Sequence, residues 1–191
     1  MKDTQELLEY LRSMPRDSII LIDVKAEDYM KVSIDVLKVL VNEDKLPGVY
    51  ITVNKPYATM KRILAGAGVK AEKMYFIDCI TKMAGGEVIP NDKNVFYLDS
   101  PQNLTGLGVA MAEAITAIKG KEKFLFMDSL STLLLYHNSG TVAKFSHFLT
   151  GRMRVWSLRG ILMAIERETD PEFTNQLSPF CDAVVKLENK T

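Results

Sequence analysis

The sequence predicts a three-layer α/β domain, in which helices cover both faces of a mainly parallel central sheet. Short runs rich in apolar, β-branched or aromatic residues recur along the chain, and several, such as SIILI, KFLFM and GILMAI, are continuous rather than alternating. Continuous apolar runs are typical of strands that are buried on both faces, as parallel strands are. The predicted strands are residues 18–24, 48–53, 74–79, 94–98, 123–128, 160–165 and 182–187.

Helices are predicted around these strands, wherever apolar residues recur every three or four positions. The first covers about residues 3–11. Later helical faces are formed by Met30, Ile34, Leu37 and Val41; by Leu107, Met111, Ile115 and Ile118; and by Val142, Phe145, Leu149, Met153 and Trp156. Residues 81–93 contain Gly85, Gly86 and Pro90 without apolar periodicity, so we expect the one long loop there.

The composition is that of a neutral globular protein. The 191 residues suffice for one domain with a full core, 47% of them are hydrophobic, and 24 basic residues balance 24 acidic ones. This excludes a disordered chain and disfavours a surface that coats nucleic acid. No apolar run reaches the roughly 18 residues of a membrane span, and the charged N-terminus is unlike a signal peptide, so we expect a cytoplasmic protein. Cys79 and Cys181 have no CxxC or histidine partner nearby, so we expect neither zinc nor a disulfide.

The turn after the first strand is where an α/β domain of this pattern would bind a phosphate, through glycine N–H groups and a lysine. Here the turn contains Lys25, Glu27 and Asp28 but no glycine, and the chain has no GxGxxG. We expect the two acidic residues to cap the next helix and complement its dipole rather than hold a cation. Lys25 and Lys31 are the candidate phosphate-binding residues if a nucleotide binds, although a solvated position on the helix is favoured for Lys31.

An acidic residue ends each of three predicted strands: Asp78, Asp99 and Asp128. Asp128 is followed by Ser129 and further hydroxyl residues, which is how phosphoryl-transfer proteins present a magnesium-binding aspartate. Asp128 is therefore the candidate metal ligand, and both residues are candidates for cofactor binding. A structural role at the strand end is favoured for Asp128, because no phosphate-binding loop lies opposite. The three acids together are also the candidate centre of an enzyme with unrelated chemistry.

The order of these segments resembles the KaiC-like branch of the RecA superfamily of ATPases. GVYITVNKP (48–56) is similar to that family's second core strand, and FLFMDSLSTLLLY (124–136) resembles its Walker B strand and the following helix. GILMAIERE (160–168) and CDAVVKL (181–187) resemble its last core strands. The resemblance implies one RecA-like domain over residues 1–191, with its core at 18–187 and an N-terminal helix and lead-in at 1–17.

The sequence departs from that family where ATP is bound and hydrolysed. The GxxxxGK[ST] loop is replaced by the glycine-free turn, and the positions of the catalytic glutamate pair hold Asn54 and Lys55. Neither side chain can act as the carboxylate base that prepares a water for attack. The sequence also ends before the strands that carry the family's trans-acting basic residues, and only the Walker B aspartate matches, as Asp128. These departures imply that the fold is retained and hydrolysis is lost.

Two further groups have ordinary interpretations. The segment GRMRVWSLRG (151–160) could present arginines around Trp156 to an acidic partner or to nucleic acid, but the zero net charge favours helix-end electrostatics and ordinary surface. His137 and His147 have no acidic residue at catalytic or metal-ligand spacing, so we expect both to be structural.

Taken together, the residues and the resemblance favour a degenerate KaiC/RecA-like domain of archaeal type that does not hydrolyse ATP. We expect it to act as a protein-binding or regulatory module, through self-association or by docking on another protein, with no cofactor. The alternative is a nucleotide-binding protein or weak ATPase, which would hold ATP through Lys25 or Lys31 and magnesium through Asp128. We expect no nucleic acid and no membrane among the partners.

Overall fold

The computed structural model describes residues 3–166 and 171–187, and its central sheet is the one that the sequence predicts. The strands are β1 Ile19–Val24, β2 Gly48–Thr52, β3 Met74–Asp78, β4 Val95–Tyr97, β5 Phe124–Asp128, β6 Arg159–Ile165 and β7 Ala183–Lys186. They form one seven-stranded sheet in the order β4-β3-β2-β5-β6-β1-β7, in which every neighbouring pair is parallel. The predicted strands are confirmed, and their carboxyl ends all lie at the same edge of the sheet.

In the described chain, helices lie between consecutive strands except between β3 and β4, and one helix precedes β1. They are α1 Thr4–Ser13, α2 Tyr29–Leu37, α3 Tyr57–Gly66, α4 Leu104–Ala117, α5 Leu130–Leu133, α6 Ser139–Val155 and α7 Pro171–Leu177. A π-helical segment, Lys38–Glu43, continues α2, and short 3-10 turns occupy Ala71–Lys73 and Ser178–Phe180. In the described part of the chain, none of these helices combines the length and apolarity that crossing a membrane requires.

The helices form two layers, one on each face of the sheet. Side chains of α1, α2 and α3 pack with one set of strand residues, and those of α4, α5, α6 and α7 pack with the other set. Alternate residues of one strand serve the two cores: in β1, Ile20 and Ile22 face the α2 side, whereas Ile19 and Leu21 face the α4 side. This is the three-layer α/β arrangement that continuous apolar strands predict.

The predicted helical faces of α4 and α6 are confirmed, and that of α2 is confirmed in part. The predicted apolar residues of α4 are buried, as are those of α6 apart from the half-buried Trp156. Of the face predicted around α2, Leu37 and Val41 are buried, whereas Met30 and Ile34 are only partly buried against the same core. Val32 and Val36, which the prediction did not include, are also buried. Residues 81–93 lack helix and strand, as predicted, and connect β3 to β4 across the surface.

We expect the substitution Gly48→Ala to destabilise the fold by about 1–3 kcal/mol, the usual cost of overpacking a core. Gly48 lies beside Phe124 in the neighbouring strand β5, and a Cβ at this position would come within 2.3 Å of the ring atom Cδ1. Urea unfolding measures the loss. The matched control is Gly66→Ala near the end of α3, where an added Cβ meets nothing within 4 Å; it should not destabilise the fold, since alanine is the better helix former. Equal stability of the two variants would contradict the prediction.

Candidate functional site

The turn between β1 and α2 is short and has no room for a phosphate-binding loop. Only residues 25–28 connect the two elements. The carbonyl oxygen of Lys25 accepts hydrogen bonds from the N–H groups of Asp28 and Tyr29, both at 3.1 Å. These N–H groups stand where a helix start would offer donors to an anion, and they are satisfied within the turn.

Acidic groups surround this turn. Glu27 lies within it, and Asp28 takes the N-cap position of α2. The expected capping is wrong in one respect, because the Asp28 side chain accepts no capping hydrogen bond. The N–H of Glu166 donates to the carbonyl oxygen of Val24, which brings a further carboxylate close to the turn, and burial raises the pKa of Asp23 at the end of β1. A polyphosphate here would meet like charges.

The two candidate lysines point to solvent. Lys25 is exposed, and the Lys31 side chain is 69% exposed and pairs with Asp35 of its own helix at 3.4 Å. Neither lysine hydrogen-bonds or pairs with Asp128 or Ser129 in the part of the chain that the structure describes. The sequence-predicted cofactor residues thus fall into two separate groups, two exposed lysines and a buried aspartate–serine pair.

Asp128 lies at the centre of a buried polar network at the carboxyl end of β5. Its side chain is 1% exposed. One carboxyl oxygen is hydrogen-bonded to the hydroxyl of Tyr50, and the other accepts a hydrogen bond of 2.9 Å from the side-chain amide of Asn54. The same amide group donates to the hydroxyl of Tyr29 at 3.1 Å. Tyr50 of β2 and Asn54 of the turn after β2 therefore cover the two oxygens of the candidate magnesium ligand.

The network continues through hydroxyl groups to the next strand. Thr132 donates to the amide oxygen of Asn54 at 2.6 Å and lies 2.8 Å from the hydroxyl of Ser129. Ser129 is also 3.1 Å from Ser131, whose hydroxyl accepts a hydrogen bond from the N–H of Ile165 at the end of β6. Asn54 uses both amide hydrogens and its oxygen, so it joins α2, β5 and the helix after β5.

Burial raises the pKa of Asp128 to about 8, because the charged carboxylate loses its hydration. Burial therefore favours the protonated form of this carboxyl group at neutral pH. Burial also raises the pKa of Tyr50, whose hydroxyl remains neutral. A protonated carboxyl group is a poor ligand for Mg²⁺, which is bound through ionised carboxylates. The chemistry of this network is thus that of neutral hydrogen-bonding groups.

The other two acidic strand ends have different environments. Asp78 is fully buried and accepts hydrogen bonds of 2.7–2.8 Å from the N–H groups of Tyr57, Ile80 and Thr81, and a further one from the Thr81 hydroxyl. Asp99 is exposed and forms a surface ion pair with a lysine of the 81–93 loop. Within residues 3–166 and 171–187, no three His, Cys, Asp or Glu side chains are placed so that they could hold a metal ion. The three acids therefore form no metal-binding cluster among the described residues, and an enzyme of unrelated chemistry at these strand ends stays a prediction.

The arginines of segment 151–160 do not share one surface. Arg159, at the start of β6, is 2% exposed, pairs with Asp44 at 3.0 Å and donates to the carbonyl oxygen of Leu11. It ties α1 to the end of the π-helical segment, and the expectation of ordinary surface is wrong for this residue. The remaining two have partners within the chain: Arg154 pairs with Asp182 at 3.1 Å, and the Arg152 guanidinium lies 4.2 Å from the centre of the Trp156 ring.

Both histidines make packing contacts. A ring nitrogen of His137 lies 3.2 Å from the carbonyl oxygen of Pro101, and the ring of His147 packs against Phe180 with 4.9 Å between centroids. These contacts agree with the structural roles that their spacing indicates.

Sequence reasoning missed the residues that enclose Asp128. The sequence identifies Asn54 only as the replacement of an acidic residue and assigns no role to Tyr29 or Tyr50. Their partners are 25 to 78 positions away along the chain, so no local pattern reveals them. The available signal was the pair of polar groups, Asn54 and Asp128, at the ends of strands that become neighbours in the sheet.

The fold has solved counterparts. The KaiC-like protein PH0186 from the hyperthermophilic archaeon Pyrococcus horikoshii OT3 superposes with a TM-score of 0.67 at 15% sequence identity, over 93% of this chain and 75% of that one. The uncharacterised protein PH0321 from Pyrococcus horikoshii, solved in complex with an unknown peptide, gives a TM-score of 0.69 at 16% identity, over 97% of this chain and 84% of that one. No curated protein matches the sequence.

The parallel sheet, its strand order and these counterparts define a RecA-like three-layer α/β protein. Within that class, the chain belongs to the family of unknown function DUF7504, whose sequence profile matches residues 40–187. The matched region includes β2, β5 and β6, and with them Asn54 and Asp128.

The buried carboxyl group predicts an unusual pH dependence of stability, which Asp128→Asn should abolish. The unfolded state ionises this group near pH 4 and the folded state only near pH 8, so between these values the folded state holds one more proton. The wild-type free energy of unfolding therefore falls as the pH rises through this window. Relative to the variant, it should fall by up to about 1.4 kcal/mol per pH unit.

Urea unfolding at pH 5, 6, 7 and 8 measures this difference. Asp99→Asn is the matched control, since it makes the same substitution on an exposed side chain and should leave the wild-type slope unchanged. Parallel slopes for wild type and Asp128→Asn would show that Asp128 is ionised in the folded protein, contrary to the prediction.

Proposed function

We propose that this protein is a non-hydrolysing RecA-like domain that acts as a protein-binding or regulatory module, through self-association or by docking on another protein. The observation that carries the proposal is the Asp128–Asn54 hydrogen bond within the buried network. In the KaiC-like ATPases that the sequence resembles, the position of Asn54 carries a catalytic glutamate. Here it carries an amide that is fully hydrogen-bonded and cannot remove a proton from water.

The β1–α2 turn and the groups around Asp128 support the same proposal. The β1–α2 turn contains no glycine, the N–H groups of Asp28 and Tyr29 are hydrogen-bonded within it, and its acidic neighbours disfavour a polyphosphate. The closure of the network around Asp128 leaves its oxygens occupied by Tyr50 and Asn54. A metal ion could bind there only after these hydrogen bonds were broken and the carboxyl group lost its proton.

Two observations favour binding of a polypeptide. The structural counterpart PH0321 was solved with a peptide bound. This chain has an open apolar groove of about 750 Å³ between α4 and α6, which we name the α4/α6 groove; its floor and walls include Gly108, Val109, Ala112, Phe145 and Phe148. Val109 is 54% and Phe148 47% exposed, and apolar side chains so placed are typical of surfaces that bind another protein.

The proposal predicts that ATP and ADP with magnesium do not bind. Titration calorimetry should show no heat of specific binding, and a thermal-shift assay should show no stabilisation, since a ligand that binds only the folded state raises its stability by mass action. Binding tighter than about 100 μM, which corresponds to roughly 5.5 kcal/mol, would contradict the proposal and favour the nucleotide-binding alternative.

If a nucleotide does bind, two lysine variants show where its phosphate lies. Lys31→Ala tests the candidate phosphate residue, and Lys38→Ala is the matched control, because both lysines pair with Asp35 in the wild-type protein. Loss of nucleotide affinity in Lys31→Ala alone would assign the phosphate to the β1–α2 turn. An equal effect of both variants would indicate general electrostatic attraction.

A further inference from the structure

Helix α4 presents an unusual surface for an exposed helix. Its 14 residues, LTGLGVAMAEAITA, contain a single charged side chain, Glu113. Its outer side carries Val109 and small residues, so α4 forms a smooth ridge. Grooves run along both sides of this ridge: the α4/α6 groove on one side, and a shallower one bounded by β4 on the other.

The charges at the α4/α6 groove are arranged asymmetrically. Glu113 lies on the ridge, and Lys144 and Arg152 line the groove from the opposite helix, α6. In the described residues, neither Glu113 nor Lys144 has a hydrogen bond or an ion pair. The groove thus carries an unpaired negative charge on one wall and an unpaired positive charge on the other.

We infer that the α4 ridge and the α4/α6 groove together bind a second copy of this chain, which rests on the proposed function and specifies its partner. A two-fold axis would place the α4 ridge of each copy in the α4/α6 groove of the other, which is ordinary packing of helix ridges into grooves. The same operation brings Glu113 of each copy towards Lys144 of the other. One face of the chain therefore carries both the ridge and the groove that can receive it, and both the negative and the positive charge.

An unrelated amphipathic helix would satisfy less of this surface. It could fill the groove and reach Lys144, but the apolar ridge of α4 and the Glu113 side chain on it would remain exposed. A second copy covers the ridge and the groove together and uses both charges. The length of α4, about 21 Å at 1.5 Å per residue, sets the scale of the contact.

Sedimentation equilibrium on the full chain tests the inference. The wild-type protein should dimerise at concentrations between about 1 and 100 μM, the range expected for an interface of modest size. Glu113→Lys should weaken dimerisation by about tenfold or more, because it places two positive charges together, and Lys144→Glu should do the same with two negative charges. The double variant Glu113→Lys/Lys144→Glu should return the dissociation constant to near its wild-type value, since the pair is restored with its sign reversed.

Glu72→Lys is the matched control. It makes the same charge reversal on an exposed glutamate beside α3, on the opposite face of the sheet, and should leave dimerisation unchanged. All of these side chains lie on the surface, so each variant should keep the wild-type unfolding curve. High salt should reduce the differences among the variants.

A wild-type protein that stays monomeric over the whole range would overturn the inference. So would a dimer that is insensitive to Glu113→Lys, or one that the double variant fails to restore, since either would place the interface elsewhere. These results are independent of the nucleotide titration. A monomer that binds no nucleotide would leave the proposed function standing with a different partner, and a dimer that binds ATP would overturn the proposed function but not this inference.

Discussion

The burial of one carboxyl group, that of Asp128, constrains the whole carboxyl edge of the sheet. Asp128 ends the central strand β5, where helices on both faces exclude water. A carboxyl group without hydrogen-bonding partners there would destabilise the folded state. Tyr50 and Asn54 supply its hydrogen-bonding partners. Because Asn54 is also held by Tyr29 and Thr132, satisfying this one acid fixes how α2, β2 and the segment after β5 meet.

The same constraint explains why an amide, rather than an acid, suits position 54. A glutamate or aspartate there would place a second carboxyl group against Asp128, and two acids in one buried site cannot both ionise without strong repulsion. An amide donates to Asp128 and accepts from Thr132 at once. The amide at position 54 therefore lets the site close as a network of hydrogen bonds.

Asp78 shows that position in the fold does not by itself decide the role of an acid. It ends β3 as Asp128 ends β5, yet it accepts hydrogen bonds from three backbone N–H groups, two in the turn after β3 and one at the start of α3. The sequence predicts the strands, the sheet and the polar residues at the carboxyl ends of the strands, because continuous apolar runs and the acids that follow them are local patterns. The partners of Asp78 and Asp128, and the core-facing side of α2, depend on contacts between distant segments, which no local pattern specifies.

Helix α4 differs from the other long helices in its low charge. It carries one charged side chain, Glu113, and neither Glu113 nor Lys144 of the α4/α6 groove has a partner within the described chain. Val109 and Phe148 are exposed beside them, and covering such apolar side chains with another surface is favourable. Charges at an interface contribute to specificity more than to affinity. In the inferred dimer, Glu113 and Lys144 would therefore set how the two copies align, while burial of Val109 and Phe148 would supply most of the binding energy.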